Sequence, residues 1–343
     1  MFKRVLIPLV MLGACKPGTT IKENALKPVL TTEETAHDTD DPAIWINGKD
    51  TAASLVIGTD KASDGGLYVF NLEGKIVNKV LGLKRPNNVD IAYGLLVGGV
   101  PTDIAVVTER ETNKIRVFRL PDMVPVDNGG IPVFEKETLQ APMGIALYTR
   151  PSDSAIFAIV GRKTGPAEEY LWQYRLADNG NGIVTGTLVR KFGKYSAKKE
   201  IESIAVDNKL GYVYYSDETV GVRKYTADPD KNNNNELALF ATQGFTADHE
   251  GISIYPLSDT TGYLLVSNQQ ANTFMVYRRE GEKGNPQVHN LVAEVPVSTM
   301  ESDGSDVTAV PLGPKFPKGL FVAMSNGKVF HYYSWTDIES RIK

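Results

Sequence analysis

One short pattern recurs six times along the 343-residue chain, and no other feature restricts the fold as severely. The copies are Asp41-Pro-Ala-Ile-Trp45, Asp90-Ile-Ala-Tyr93, Met143-Gly-Ile-Ala-Leu147, Glu202-Ser-Ile-Ala-Val206, Glu250-Gly-Ile-Ser-Ile254 and Asp306-Val-Thr-Ala-Val310, at spacings of 48 to 59 residues. A period of this size marks repeated supersecondary units, each too small to bury a core alone. A β-branched and aromatic run follows every copy (55–59, 104–108, 156–160, 212–216, 263–267, 320–324), and a third run ends near an aromatic (67–70, 115–118, 171–174, 222–225, 274–277, 329–332). Alternation and composition make all of these strands.

Fourth strands are expected at 76–80, 131–134, 187–192, 236–240 and 288–295, but the sixth repeat has only the tail 334–343 in that place. An unpaired sheet edge invites wrong pairing, so the segment 26–31 is expected to close the ring as the outer strand of the last blade. The sequence thus predicts an all-β six-bladed β-propeller of four-stranded antiparallel blades over residues 26–343. A β-sandwich of unrelated strands would leave the period without a cause. No helix-period segment of useful length appears.

Residues 1–14 carry two basic residues, an apolar run over 5–12 and small residues before Cys15, the layout of a secretory signal. The run is too short to span a bilayer. Leu12-Gly13-Ala14-Cys15 resembles a bacterial lipobox, in which the cysteine is lipidated after cleavage; a plain signal with an incidental cysteine is the alternative. Both predict export, either as an outer-membrane or cell-surface lipoprotein tethered through residues 15–25, or to the periplasm or medium. Cys15 is the sole cysteine, which leaves no intrachain disulfide and no thiol chemistry for the folded body. A net charge of −4 with no basic face sets nucleic acid aside as a partner. The expectation is a monomer that touches a membrane only through Cys15.

In an antiparallel hairpin the start of the first strand and the end of the second share one end. One mouth of the ring therefore collects Asp40, Asp41, Asp90, Glu202, Asp248, Glu250, Asp303 and Asp306 from the first set, and Asp60, Lys61, Glu109, Arg110, Arg162, Lys163, Asp217 and Glu218 from the second. Asp248 and Glu250 are two apart, so an extended strand puts them on one face. Such crowding raises carboxylate pKa values unless a cation intervenes, and all-oxygen ligands favour Ca²⁺ or Mg²⁺ over zinc. The four histidines, His37, His249, His289 and His331, are scattered, and alternation turns His249 away from its acidic neighbours. Lys61, Arg110 and Lys163 change the meaning of the mouth: cations among the acids suit an anionic ligand held beside metal, with phosphate the natural candidate.

With Asp40-Asp-Pro-Ala-Ile-Trp45, Asn71-Leu-Glu-Gly-Lys75, Asn87-Asn-Val-Asp-Ile91, Gly211-Tyr-Val-Tyr214, Asp248-His-Glu-Gly251 and Gly319-Leu-Phe-Val-Ala323, the chain resembles the β-propeller (alkaline) phytases over nearly its whole mature length. The resemblance implies several calcium ions, with Asp41, Asp90, Glu202, Glu218, Asp248, Glu250 and Asp303 at acidic metal positions and Lys61, Arg110 and Lys163 at phosphate positions. It implies 3-phytase-type hydrolysis of phytate (myo-inositol hexakisphosphate) to inorganic phosphate and lower inositol phosphates; for a protein of negative net charge, calcium phytate, its charge partly cancelled, is expected to be a better substrate than free phytate. A calcium-bridged water would attack, and Glu202, Glu218, Asp248 and Glu250 would form the catalytic group. Met143, Ala62 and Arg162 depart from the family pattern, and the acidic loop before Asp303 is shorter.

No protein nucleophile is needed, and the chain has neither an Arg-His-Gly phosphohistidine motif nor a Cys-x₅-Arg loop. Two rivals share the fold: a lactonase-like calcium-dependent hydrolase, and a non-enzymatic surface propeller with structural calcium. A lactonase would have little use for three cations on the mouth, and phosphate release from phytate with and without a chelator separates all three readings.

Overall fold

The computed structural model describes residues 20–342, so the expected signal and Cys15 lie outside the described residues. Six antiparallel sheets follow one another along the chain. Blade 1 comprises Thr39–Trp45, Leu55–Asp60, Gly65–Phe70 and Ile76–Leu83; blade 3, Pro142–Thr149, Ile156–Arg162, Leu171–Asp178 and Val184–Phe192. Blade 4 comprises Ile204–Asp207, Tyr212–Asp217, Gly221–Thr226 and Ala238–Phe240; blade 5, His249–Pro256, Gly262–Asn268, Thr273–Arg278 and Leu291–Pro296. In blade 2, Pro86–Val97, Val100–Glu109 and Lys114–Arg119 are edged by two short pieces, Val124–Pro125 and Ile131–Pro132, rather than by one strand over 131–134. Pro125 and Pro132 lack the N–H that a longer ladder requires.

Blade 6 contains Ser305–Thr308, Leu320–Ser325 and Val329–Ser334, and its outer strand comes from the other end of the chain. Leu30 pairs with Tyr332 and Thr31 with His331, as the missing fourth strand of the last repeat predicts. The paired strand is shorter than the expected 26–31, because Leu26 instead bridges Val297, just past the last strand of blade 5. The tail is not featureless: Trp335–Glu339 forms a five-residue helix whose Trp335 lies flat on Tyr255 at 3.5 Å. A helix of barely more than one turn has too few residues to display a period.

Successive residues of a strand face opposite sides, and here each side meets a neighbouring blade. Ala43 and Trp45 pack with Val89 and Val107 of blade 2, whereas Ile44 packs with Leu320 and Val322 of blade 6. Six hydrophobic clusters result, one at each junction of consecutive blades, including the junction of blade 6 with blade 1. The ring is thus held by sheet-on-sheet burial, and the inner strands are left around a polar channel.

Candidate active site

The end of the second strand of every blade obeys one rule. Its last residue is buried and binds the loop by which the chain enters that blade; in blades 1 to 5 the next residue faces the mouth. Asp60 accepts from the backbone N–H groups of His37 and Asp38, Glu109 from Lys84, and Asp217 from Ser196, while Asn268 accepts from Thr246 and Ser325 from Met300. Arg162 does the same with reversed polarity, donating to the Leu139 carbonyl and pairing with Glu137, with its guanidinium over Phe134. Asp60, Glu109, Arg162 and Asp217 therefore bear on loop geometry, and Arg162, 1% exposed, does not line the mouth. The residues one step on, Lys61, Arg110, Lys163, Glu218 and Gln269, do.

The inner strands begin with an irregular turn of the ladder. Register shifts fall between Thr39 and Pro42, Pro86 and Val89, Pro142 and Ile145, and His249 and Ile252. A bulge re-aims the side chains it carries, and these bulges carry Asp40-Asp41, Asn87-Asn88 and Glu250. Close approach across blades needs a missing side chain: a Cβ on Gly251 would meet the Asp303 carbonyl oxygen at 2.7 Å, and the Gly251 N–H donates to that oxygen.

Asn87, buried at the start of blade 2, is the hub of one half of the mouth. Its amide nitrogen donates to Asp40 Oδ2 at 2.7 Å and to Glu202 Oε1, and its carbonyl oxygen accepts from Arg110 Nη2. Lys61 Nζ lies 2.6 Å from both Asp40 Oδ1 and Asp303 Oδ2, and Gln269 donates to the other oxygen of Asp303. Burial opposes the Lys61 charge, but Asp40, Asp303 and Glu202 outweigh it and hold the ammonium protonated. One lysine does not neutralise so many acids. Burial, and then Asp40, push Asp303 up to about 7, and burial with Asp40 and Asp303 drives Glu202 well above the carboxylate range.

Glu218, Asp248 and Glu250 form the other half. One carboxylate oxygen from each lies within 4.8 Å of the others, and the same holds for Glu200, Glu202 and Glu218; either group could hold a metal ion. Burial pushes Glu218 up to about 7, and Glu250 is raised well above its ordinary value by burial and then by Glu218 and Glu202. Glu250 Oε2 is buried without a hydrogen-bond partner. A bare oxygen among acids is a cost that a cation would remove, so the donor set fits a hard divalent ion. Its imidazole neighbour does not join: His249 stacks on Phe245 at 3.7 Å and bonds the Ala241 carbonyl, as alternation predicts.

Of the expected acids, Glu202, Glu218, Asp248, Glu250 and Asp303 meet at the mouth with Lys61 and Arg110. Lys163 lies at the rim, its Nζ 2.6 Å from Glu200. Asp41 and Asp90 stand deeper, lining with Asp306 a channel cavity of about 160 Å³. There they act as latches between blades: Asp41 accepts from Val89 N, Asp90 from Leu147 N, and Asp306 from Ile44 N. The second oxygen of Asp90 accepts from Ile91 N and that of Asp306 from Val307 N, and burial holds Asp90 at about 6 and Asp306 at about 7.

Sequence reasoning gave no role to Asn87, Gln269, Gln270, Lys199 or Glu200. Gln269 was within reach, since it occupies in blade 5 the offset of Lys61 and Arg110. Gln270 donates to Asp248 Oδ2 at 2.6 Å. Lys199 and Glu200 arrive on a loop without a repeat counterpart, in the longest of the five spacings, so no periodic signal points to them.

A propeller whose channel mouth interleaves buried carboxylates with lysine and arginine is built to hold an anionic ligand beside cations. Comparison with known proteins makes the class specific. A family model described as Phytase matches residues 13–332. The chain is 32% identical to the 3-phytase of Bacillus subtilis (strain 168) over 322 residues, 88% of this chain and 81% of that protein. The chain belongs to the phytase family, and with it to the phosphoric monoester hydrolases. The solved structure of U3-55K superposes with a TM-score of 0.50 at 9% identity, over 84% of this chain and 79% of that one, a likeness of fold alone.

Proposed function

We propose that the protein is a calcium-dependent enzyme of the 3-phytase type, which hydrolyses phosphate monoesters of phytate and releases inorganic phosphate and lower inositol phosphates. The observation that carries this reading is the hydrogen-bonded run from Arg110 through Asn87 to Asp40 and Glu202, which joins an anion-binding group to a cation-binding one.

Glu202, Glu218, Asp248, Glu250 and Asp303 would hold the calcium ions at the mouth, with Asp41 and Asp90 available to one in the channel. When bound, such ions supply charge neutralisation toward phosphoryl oxygens and acidify water. Lys61, Arg110 and Lys163 receive the substrate's phosphate oxygens; Arg110, with its Nε buried and unpartnered, has a donor still to place. Glu250 Oε2, buried without a hydrogen-bond partner, is the oxygen of that set most open to such an ion. Asn87 and Gln269 orient the carboxylates. Rate enhancement is then mostly electrostatic positioning.

A highly anionic substrate meets a mouth rich in carboxylates, so calcium phytate is the expected substrate form, and the rate should rise as calcium is added from zero. Export, a lipid on Cys15 and a monomeric state belong to the same reading, tested by radiolabelled lipid incorporation in the host and by sedimentation. The central test is phosphate release from phytate by the purified protein with calcium and with a chelator. Calcium-dependent release that Arg110→Ala lowers by roughly 10-fold to 100-fold supports the reading; no release under either condition ends it, and release untouched by chelation removes calcium from it.

A further inference from the structure

Two of the three carboxylates of the Glu218–Asp248–Glu250 group are already gripped by a cation of the chain's own. Lys199 Nζ lies 2.5 Å from Asp248 Oδ2 and 3.0 Å from Glu218 Oε2. The lysine reaches in from solvent: its side chain is 45% exposed, whereas those of Glu218 and Asp248 are 2% and 9% exposed. Asp248 Oδ2 also accepts from Gln270, so its lone pairs are shared among competitors.

An ammonium and a divalent ion need the same oxygens and repel each other, so at this pair they exclude one another. The backbone that carries the lysine is anchored on both sides. The Lys199 carbonyl accepts from Tyr195 Oη at 2.5 Å, Tyr195 stacks on Tyr170, and the Glu200 carbonyl accepts from Glu218 N. Displacement would therefore move only the four-carbon side chain, whose head stays at the mouth. Lys163 repeats the arrangement, its ammonium on Glu200, a member of the second carboxylate group.

We propose that Lys199 is the resident counter-ion of Glu218 and Asp248, that a divalent ion must displace it to bind there, and that the freed ammonium then receives a substrate phosphate. The inference rests on the phytase reading of the mouth. Metal binding and substrate binding are coupled by it: each ion that enters releases a positive charge for the anion that follows. A cation faces Glu218 and Asp248 in both states, the lysine before and the ion after, so the lysine sets how much calcium the enzyme needs.

The test compares the full protein with Lys199→Met and Lys199→Arg. Calcium binding is followed by calorimetry in the absence of substrate, and steady-state phosphate release from phytate is measured at saturating calcium. The expected result for Lys199→Met is calcium binding at one site roughly 10-fold tighter. Its KM for phytate should rise roughly 10-fold while kcat changes little. Lys199→Arg, which keeps the charge, should stay near the parent on both measures, whereas loss of the fold would lower every parameter together. Unchanged or weaker calcium binding by Lys199→Met overturns the inference, as does an unchanged KM. If the parent protein neither takes up calcium nor releases phosphate, the underlying reading fails as well; if it does both and the methionine variant matches it, the inference alone fails.

Discussion

Asn87 and Arg110 are joined by a hydrogen bond from the guanidinium to the carboxamide oxygen, and the same amide passes the link on to Asp40 and Glu202. A buried neutral side chain thus ties the basic part of the mouth to the acidic part. Asn87→Ala should leave two carboxylates and a guanidinium without their partner, at a cost of about 1.5–3 kcal/mol for a bond to a charged group. Phosphate release should fall by roughly 10-fold to 100-fold, with Asn87→Asp at least as damaging because it adds a negative charge beside Glu202. Steady-state rates with far-ultraviolet circular dichroism as a folding control check this.

Adjacent residues at the end of a strand should fail differently. Arg162 is buried among Phe134, Tyr170 and Trp172 and holds the Leu139 carbonyl. Arg162→Ala should lower stability by about 3–5 kcal/mol, the scale for breaking a buried charged contact. Lys163→Ala, one residue on and half-exposed, should leave the unfolding midpoint nearly unchanged and raise KM for phytate. Denaturant unfolding and kinetics on the two variants decide it, and equal effects on stability would contradict the inward and outward alternation.

Stability should depend on pH with a definite sign when calcium is chelated. Burial raises Glu218 from 4.5 to about 7, and burial with neighbouring Asp40 raises Asp303 from 3.8 to about 7. Between those values the folded protein retains protons that the unfolded chain has released, so stability falls as pH rises from about 4 to about 7. Calcium favours the deprotonated form and should flatten or reverse the slope. Calorimetric midpoints across that range, with chelator and with calcium, check both parts.

The closure of blade 6 is worth testing by deletion. Removing the chain through Thr31 strips Val329–Ser334 of its partner and uncovers an edge strand. Stability should drop by about 2 kcal/mol or more, from lost Leu30 packing and ladder bonds. A fall in the unfolding midpoint, with larger species in sedimentation, is the expected outcome.

Much of this architecture was legible because it is periodic. The inner strands at 41–45, 90–93 and their four counterparts recur with a strand's alternation, and the empty fourth place of the last repeat pointed to residues 30–31. The end-of-strand offset likewise placed Lys61, Arg110 and Glu218 on one mouth. It did not separate them from Asp60, Glu109 and Asp217, because both sets are charged and only the entry loop that each inward residue binds reveals its task. Asp41 and Asp90 read as ligands by type, yet each also latches a neighbouring blade through one oxygen, a contact between repeats that the chain order does not display.

The sequence by itself determined the number of blades, the closing strand and the mouth at which opposite charges gather, since each follows from a pattern that strand geometry turns into position. Only the tertiary structure decided which carboxylates share an ion's reach, that Asn87 binds both charge types, and that Lys199 enters the acidic group. Those depend on bulges and unrepeated loops, where the position of a side chain is set by the blade it leans on rather than by its own neighbours in the chain.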